Sequence, residues 1–319
     1  MKLRRENEKI ANIGGLKLRK TSLLYDIITN RTLYFMALPG ILFYIIFNYI
    51  PMLNVIIAFQ DYTPALGIWG SPWVGFKHFE RFFRGMYFGR VLKNTLGLSV
   101  YGIVASFGFP IMLALLLNEL RSSFLKRTTQ TLTYIPHFIS TVVVCGLITD
   151  FTMKEGLINN ILVHFGMQRA NLLMKPELFK TIYVFSGIWQ SVGWASIIYC
   201  SALSGIDPTY YEAARIDGAS RWKQALHITI PELIPVMVTV LILNIGSVMN
   251  VGFEKVFLLM NSANKETADV ISTYVYEKGL VDMNFSFSTA TGLFNAVVNM
   301  ILVFSSNYFA NKLTGSGLW

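Results

Sequence analysis

Six apolar runs, each near twenty residues, divide the chain: about 33–59, 91–118, 131–151, 179–203, 234–257 and 287–309. As helices rising 1.5 Å per residue, runs of this length match the ~30 Å hydrocarbon core of a bilayer. Inside hydrocarbon, backbone N–H and C=O groups must be satisfied within the segment, which a helix does by itself. A mean hydropathy of +0.49 and a charged content of only 14% agree with this reading and argue against a single soluble core. The pattern predicts an all-α membrane protein with about six transmembrane helices and no second soluble domain.

The net charge is +9, but its distribution argues for membrane topology and against a nucleic-acid partner. Basic residues concentrate in the first thirty-one positions and in short loops between apolar runs. Residues 1–30 read as a basic cytoplasmic tail without regular structure over 1–20, able to touch anionic membrane lipid, with a short interfacial helix over 21–30. Residues 31–319 form the transmembrane domain. Placing the amino terminus inside puts most of the positive charge on the inner segments, so both termini are expected to be cytoplasmic. The first apolar run starts only near Leu33 and is too long for a signal-peptide core, so no cleaved leader is expected. Residues 60–83, QDYTPALGIWGSPWVGFKHFERFF, are rich in Gly, Pro and aromatics and predict a folded outer loop, with Trp69 and Trp73 near the interface. Cys145 and Cys200 lie inside apolar runs and read as small core residues. The four histidines, at 78, 137, 164 and 227, are scattered, and no His, Cys or carboxylate cluster has metal-ligand spacing, so no metal site is expected.

Residues 204–235, SGIDPTYYEAARIDGASRWKQALHITIPELIP, carry three basic and four acidic side chains between two apolar runs. Asp207 followed by Pro208 is a good helix start: the carboxylate accepts from first-turn amides, and proline at the first position loses no needed donor. The run TYYEAARID predicts a helix that stops at Gly218, which can take the left-handed conformation. Ser220 can cap a second helix that Pro231 is expected to interrupt. Glu212 and Arg215 stand three apart on the first helix, and Ala213 and Ala214 leave its flank smooth. On these grounds alone the stretch is either an amphipathic interfacial linker or a docking element.

The string EAARIDGAS followed by HITIP resembles the EAA loop of permease subunits in ATP-binding-cassette importers. It matches at Glu212, Ala213, Ala214, Asp217, Gly218, Ala219, Ile228 and Pro231. Two positions depart: Ile230 where leucine is usual, and Ala225 where a bulky apolar residue is frequent. Further segments, among them YIPMLNVIIAFQDY, YIPHFIS, GWASIIYCSALSGIDP and the terminal GSGLW, are similar to the polysaccharide and oligosaccharide branch related to maltose-importer permeases. The likeness extends over nearly the whole chain and implies a type I importer permease fold with cytoplasmic coupling helices. It implies that Glu212 pairs with a basic group in a cleft of a cytosolic ATPase, while Asp217 and Gly218 shape the turn. The implied function is binding-protein-dependent import of complex carbohydrate across the bacterial inner membrane. The implied partners are a second homologous permease forming a heterodimer, two cytosolic ATPase subunits that hold ATP and Mg, and an extracytoplasmic solute-binding protein. No Gly-Lys pair occurs, so a phosphate-cradling loop is absent, the chain is expected not to be an enzyme, and it is expected to bind no cofactor of its own.

Polar residues at helical spacing mark candidates for a substrate path. These are Asn244, Ser247, Asn250 and Glu254 in the fifth run, Asn295 and Asn299 in the sixth, and Gln190 and Trp194 with Trp189 beside them in the fourth. Intramembrane polar side chains tend to face a bundle interior or an aqueous path, and amides with flat aromatic faces suit sugars. The same residue types also commonly bond neighbouring helices. The fifth-run stripe is the leading set, with Glu254 expected near the outer end, where it could instead meet the binding protein. The alternative class, an ion-gradient-driven secondary transporter, needs an ionisable relay, and the runs offer little beyond Asp150, Glu254 and Lys93 near their ends.

Overall fold

The computed structural model describes residues 11–13, 16–18, 29–249 and 251–314, without the side chains of 313 and 314. It divides into two compact units, Met1–Ile56 and Ile57–Trp319. In the first unit, strands β1 (Ala11–Ile13) and β2 (Leu16–Leu18) pair antiparallel with Ala11 opposite Leu18. This corrects the expectation that the stretch up to residue 20 lacks regular structure. Most of the expected interfacial helix over 21–30 lies outside the described residues. Helix α1 (Arg31–Phe59) accounts for the first apolar run.

The second unit contains α2 (Lys77–Phe83), α3 (Phe88–Glu119), α4 (Ser123–Tyr134), α5 (Thr141–Thr152), α6 (Leu157–His164) and α7 (Pro176–Ser204). These are followed by α8 (Pro208–Ile216), α9 (Arg221–Gly246), α10 (Phe253–Leu259), α11 (Ile271–Tyr276) and α12 (Phe285–Thr314). Among the described residues four helices are long and apolar enough to cross a bilayer, namely α1, α3, α9 and α12 over Phe285–Lys312, and the bent pair Ser123–Phe138 with Thr141–His164 makes a fifth when counted as one span. Helix α7 has 29 residues, about 44 Å at 1.5 Å each, and so has the length to cross as well; its Ser, Gln, Tyr and Trp content makes it more polar than the others.

Helix α3 is the axis of this unit. Three buried clusters succeed one another along it. Val91 packs with Phe82, Met249, Ile271 and Phe287; Leu98 packs with Val144, Val184, Ile188 and Val256; Ile111 and Ala114 pack with Tyr199, Leu203 and Leu233. Because early residues of α3 meet early residues of α7 and late meet late, the two helices run parallel. The α7 side of α3 carries Gly97 and Gly102, and small residues of this kind let helix backbones approach.

Two apolar runs are broken. Over 131–151, α4 passes through a tight turn at Ile135–Phe138, and α5 restarts at a 100° bend with Ser140 accepting from the Val143 N–H at 3.4 Å. Pro136 and the extended backbone of Ile139 explain the break. Over 234–257, α9 begins earlier, at Arg221, and stops at Gly246, so one helix does not carry the whole run. Side chains from neighbouring helices satisfy the opened backbone: Asn299 Oδ1 accepts from the Met249 N–H at 2.9 Å, and Ser99 Oγ donates to the Val248 carbonyl.

Pro231, expected to interrupt its helix, does not. A π turn at Ala225–Thr229 precedes it, with the Ile230 N–H donating to Ala225 O. The same spacing recurs in α1, where a π turn at Ile45–Tyr49 precedes Pro51 and Ile50 N–H donates to Ile45 O. An in-helix proline lacks a donor and crowds the carbonyl four residues back, and widening that turn removes both problems.

The loop at 60–83 is folded, as expected. Lys77 and His78 meet the Asp61 carboxylate at 2.6 and 3.0 Å, and Trp73 stacks on Phe59 with centroids 5.6 Å apart. The hydrogen bond from Lys77 holds the Asp61 carboxyl below its usual range. Cys145 is buried and Cys200 half-buried, and both are free thiols.

Gly193 on α7 lets α4 approach so closely that a Cβ there would overlap the Thr133 carbonyl. Gly193→Val is expected to destabilise the detergent-solubilised protein by about 1–3 kcal/mol, because backbone has to move to admit the side chain. Gly146→Ala, at a site with open space, is expected to leave thermal unfolding within a degree or so of the parent. Melting of both variants side by side checks this.

Candidate functional site

At the end of the bundle where α3 and α7 finish, α8 and the start of α9 form two helices joined by the four residues 217–220. Asp207 Oδ1 accepts from the Thr209 N–H at 2.9 Å, with Pro208 at the first helical position. That backbone hydrogen bond holds the Asp207 carboxyl below its usual range, so the cap is complete at neutral pH and weakens only as pH falls through the lowered value. Helix α8 closes at Gly218, whose φ is +74°. The Ala219 N–H donates to Ala214 O at 2.9 Å and the Gly218 N–H to Arg215 O at 3.1 Å, the paired bonds of a Schellman closure. Ser220 then caps α9 by accepting from the Lys223 N–H at 3.4 Å.

Two contacts close this element on itself and a third ties it to α3. Tyr211 Oη and Thr229 Oγ1 are 3.0 Å apart, Gln224 Nε2 donates to Ala219 O at 2.8 Å, and Arg221 pairs with Glu119, the last residue of α3, at 2.9 Å. The Tyr211–Thr229 contact bridges α8 to α9 across the turn. A groove of about 780 Å³ runs beside them, lined by Asn118, Glu119 and Arg121 on one side and Tyr211, Arg215 and Gln224 on the other.

The outward side of the element has no partner among the described residues. No residue of α8 is buried, Glu212 and Ala213 are exposed, and among the described residues Glu212 joins no ion pair, not even with Arg215. Tyr210, Ile216 and Trp222 are 51%, 86% and 73% exposed, an unusual apolar surface around an acidic residue. Asp217 and Gly218 form the exposed turn, Ala214, Ala219 and Ile228 are half-buried behind it, and Pro231 lies in the continuous α9.

The path candidates separate. Asn244, on the last turn of α9, lines two cavities of about 260 and 160 Å³ between α3, α7 and α9. Ser247 lines the larger one and donates to Asn244 O at 2.9 Å. Asn250 lies outside the described residues. Glu254 is exposed on α10, a different helix, so the expected stripe of four does not share one helix face: the helix ends at Gly246. Asn299 is buried and spends its oxygen on Met249, while Asn295 is half-buried on α12. Gln190 Nε2 donates to Ile139 O at 3.1 Å, and Trp194 stacks on His137 with centroids 4.5 Å apart, so both hold the α4–α5 bend against α7. Trp189 lines an apolar groove of about 880 Å³ between α5, α6 and α7.

Residues that the polar-stripe reading passed over complete the cavities: Ser99, Gly102 and Ser106 on α3, and Gly187 and Ser191 on α7. Their steps of three and four were readable, but small residues carry a weak signal. Lys255 is buried at 8% exposure, with Nζ donating to Tyr183 O at 3.0 Å. Its place in an apolar run between Gly252 and Val256 was the available sign.

Among known proteins, residues 106–315 match the family model described as the inner membrane component of binding-protein-dependent transport systems. A polygalacturonan/rhamnogalacturonan transport system permease protein, YteP of Bacillus subtilis, is 46% identical over 304 residues, covering 95% of each chain. Protein LplB of the same organism is 43% identical over 91% of this chain and 92% of its own. Among solved structures, a chain of a bacterial alginate ABC transporter, crystallised in complex with an alginate pentasaccharide-bound periplasmic protein, superposes with a TM-score of 0.86 at 40% identity. That match covers 93% of this chain and 99% of that one. The fold is thus that of a type I ABC importer permease, and the chain belongs to the family of binding-protein-dependent transport system inner membrane components.

Proposed function

We propose that this chain is the membrane-spanning permease subunit of an ATP-driven importer of complex carbohydrate, an oligosaccharide or polysaccharide fragment. The observation that carries the reading is the α8 element: rigidly capped at both ends, tied to α9, and exposing Glu212 on an unpartnered face. Such a face suits a docking partner on the cytosolic side, an ATPase that presents a basic group to Glu212. The relatives named above, whose descriptions concern polygalacturonan, rhamnogalacturonan and alginate, support a carbohydrate cargo. The family description supports delivery by a solute-binding protein. A second homologous permease and two ATPase subunits that bind ATP and Mg complete the proposed assembly, with both termini of this chain cytoplasmic.

Transmission follows from continuity. Helix α9 runs 26 residues, about 39 Å, from the docking turn to Asn244 at the cavities, and α8 is bonded to its first turns. Movement of α8 by a closing ATPase pair is therefore delivered along one helix to the residues that line the path. The π turn at Ala225–Thr229 is the place on that lever where the backbone bonding is least regular.

Glu212→Lys, expressed with the partner subunits in cells lacking the parent gene, is expected to reach the membrane and to reduce oligosaccharide uptake at least tenfold. Normal uptake by this variant removes the coupling role, and uptake that persists without any ATPase subunit favours an ion-gradient carrier instead. Gly218→Val forces a side chain into left-handed backbone at a cost of about 1–2 kcal/mol and is expected to impair uptake as well. Gly218→Asn, which tolerates that conformation, should retain most of it, and the same assay reads both.

A further inference from the structure

We infer that Lys255, with Lys180 above it, forms a carboxylate site at the head of the cavity between α3 and α7, one that takes an acidic sugar such as a uronate. This rests on the carbohydrate-importer reading and adds to it the charge class of the cargo and the residues that recognise it. Lys255 is 8% exposed, yet among the described residues no carboxylate pairs with it. Its only hydrogen bond, to Tyr183 O at 3.0 Å, uses one of three N–H donors, and its Nζ lies 4.9 Å from the centre of the Tyr183 ring. Glu254, its neighbour in the chain, is exposed and forms no ion pair with it.

The ammonium stands against the wall of the cavity at Gly187. A Cβ built on Gly187 would stand 3.4 Å from Lys255 Nζ, and Gly187, Tyr183, Val251 and Gly252 all line the 260 Å³ space. Lys180 lies on α7 two turns before Gly187, its Nζ 3.0 Å from where a Cβ on Gly97 of α3 would be, and it too has no ion pair among the described residues. Of the other cations at this end of the bundle, Arg90 pairs with Asp269 at 3.0 Å, Lys265 with Glu277 at 2.7 Å and Lys278 with Asp282 at 2.5 Å, while the exposed Lys93 on α3 joins no ion pair among the described residues. Among the described residues Lys255 is the one buried cation, and it has no counter-ion.

A buried ammonium without a counter-ion is costly, and a carboxylate entering the cavity removes that cost while gaining charge-assisted hydrogen bonds. Ser99, Ser106, Ser191 and Asn244 offer hydroxyl and amide partners for the rest of the ring, and Tyr183 offers an aromatic face. A neutral sugar leaves Lys255 unpaired, so the site discriminates by charge.

The test uses the assembled transporter with its binding protein, and compares uptake of a galacturonate trisaccharide with uptake of its methyl ester. The ring is unchanged and only the charge is removed. Measuring the acid-to-ester ratio in parent and variant isolates the permease from the selectivity of the binding protein. Lys255→Gln is expected to lower the ratio about tenfold and Lys255→Arg to preserve it. Should Lys255→Gln fail to reach the membrane, Lys180→Gln, at a half-exposed position, is expected to lower the ratio several-fold and decides the matter. A ratio unchanged in the glutamine variants overturns the carboxylate site and leaves the importer reading standing, as does a parent that carries only neutral oligosaccharides. A parent that carries no glycan at all overturns the importer reading itself.

Discussion

Backbone hydrogen bonding in a medium without water is the constraint on which this structure depends. Where the ladder is intact, long helices result. Where it is broken, the chain supplies a specific replacement. Ahead of Pro51 and Pro231 the turn widens, so that the amide two residues beyond the π turn is not needed as a donor and the carbonyl behind the ring is not crowded. Between α9 and α10 the exposed N–H of Met249 and the carbonyl of Val248 are met by Asn299 from α12 and Ser99 from α3. Asn299 looks like a path-lining group in the sequence, and in the structure it and Ser99 close the backbone so that a non-helical segment can exist beside a cavity.

That segment gives the second unit its organisation. Because α9 ends at Gly246, Asn244 and Ser247 face the space between α3 and α7, while Lys255 on α10 stands against its wall at Gly187. The opposite end of α9 is fixed to α8 by Tyr211, Thr229 and Gln224. One helix therefore joins an exposed surface carrying Glu212 to a polar cavity with Lys255 close to its wall. The clusters along α3 provide the fixed frame against which such a helix can tilt.

The two ends differ in electrostatic character. At the α8 end, Glu212 stands exposed beside apolar Ile216 and Tyr210, an arrangement that costs little alone and would gain from a basic partner that excludes solvent. At the cavity end, Lys255 is already desolvated and its counter-charge has to come from elsewhere. Both are incomplete as they stand.

The sequence by itself determined the helical membrane architecture, the two-helix element and its turn. Apolar run length, the Asp207-Pro208 start and Gly218 act locally, through rise per residue, capping and backbone sterics, so they survive any packing arrangement. The folded outer loop was legible for the same reason. Only tertiary structure decided that the runs at 131–151 and 234–257 break, because both breaks depend on partners far away in the chain. Ser140 can restart a helix at a bend because Gln190 and Trp194 from α7 hold that bend, and residues 247–249 can leave the helix because Ser99 and Asn299 receive them. Periodicity assumes an unbroken helix, so it placed Ser247 and Glu254 on one face and overlooked Lys255, whose burial is set by Tyr183 and Gly187, some seventy residues earlier in the chain.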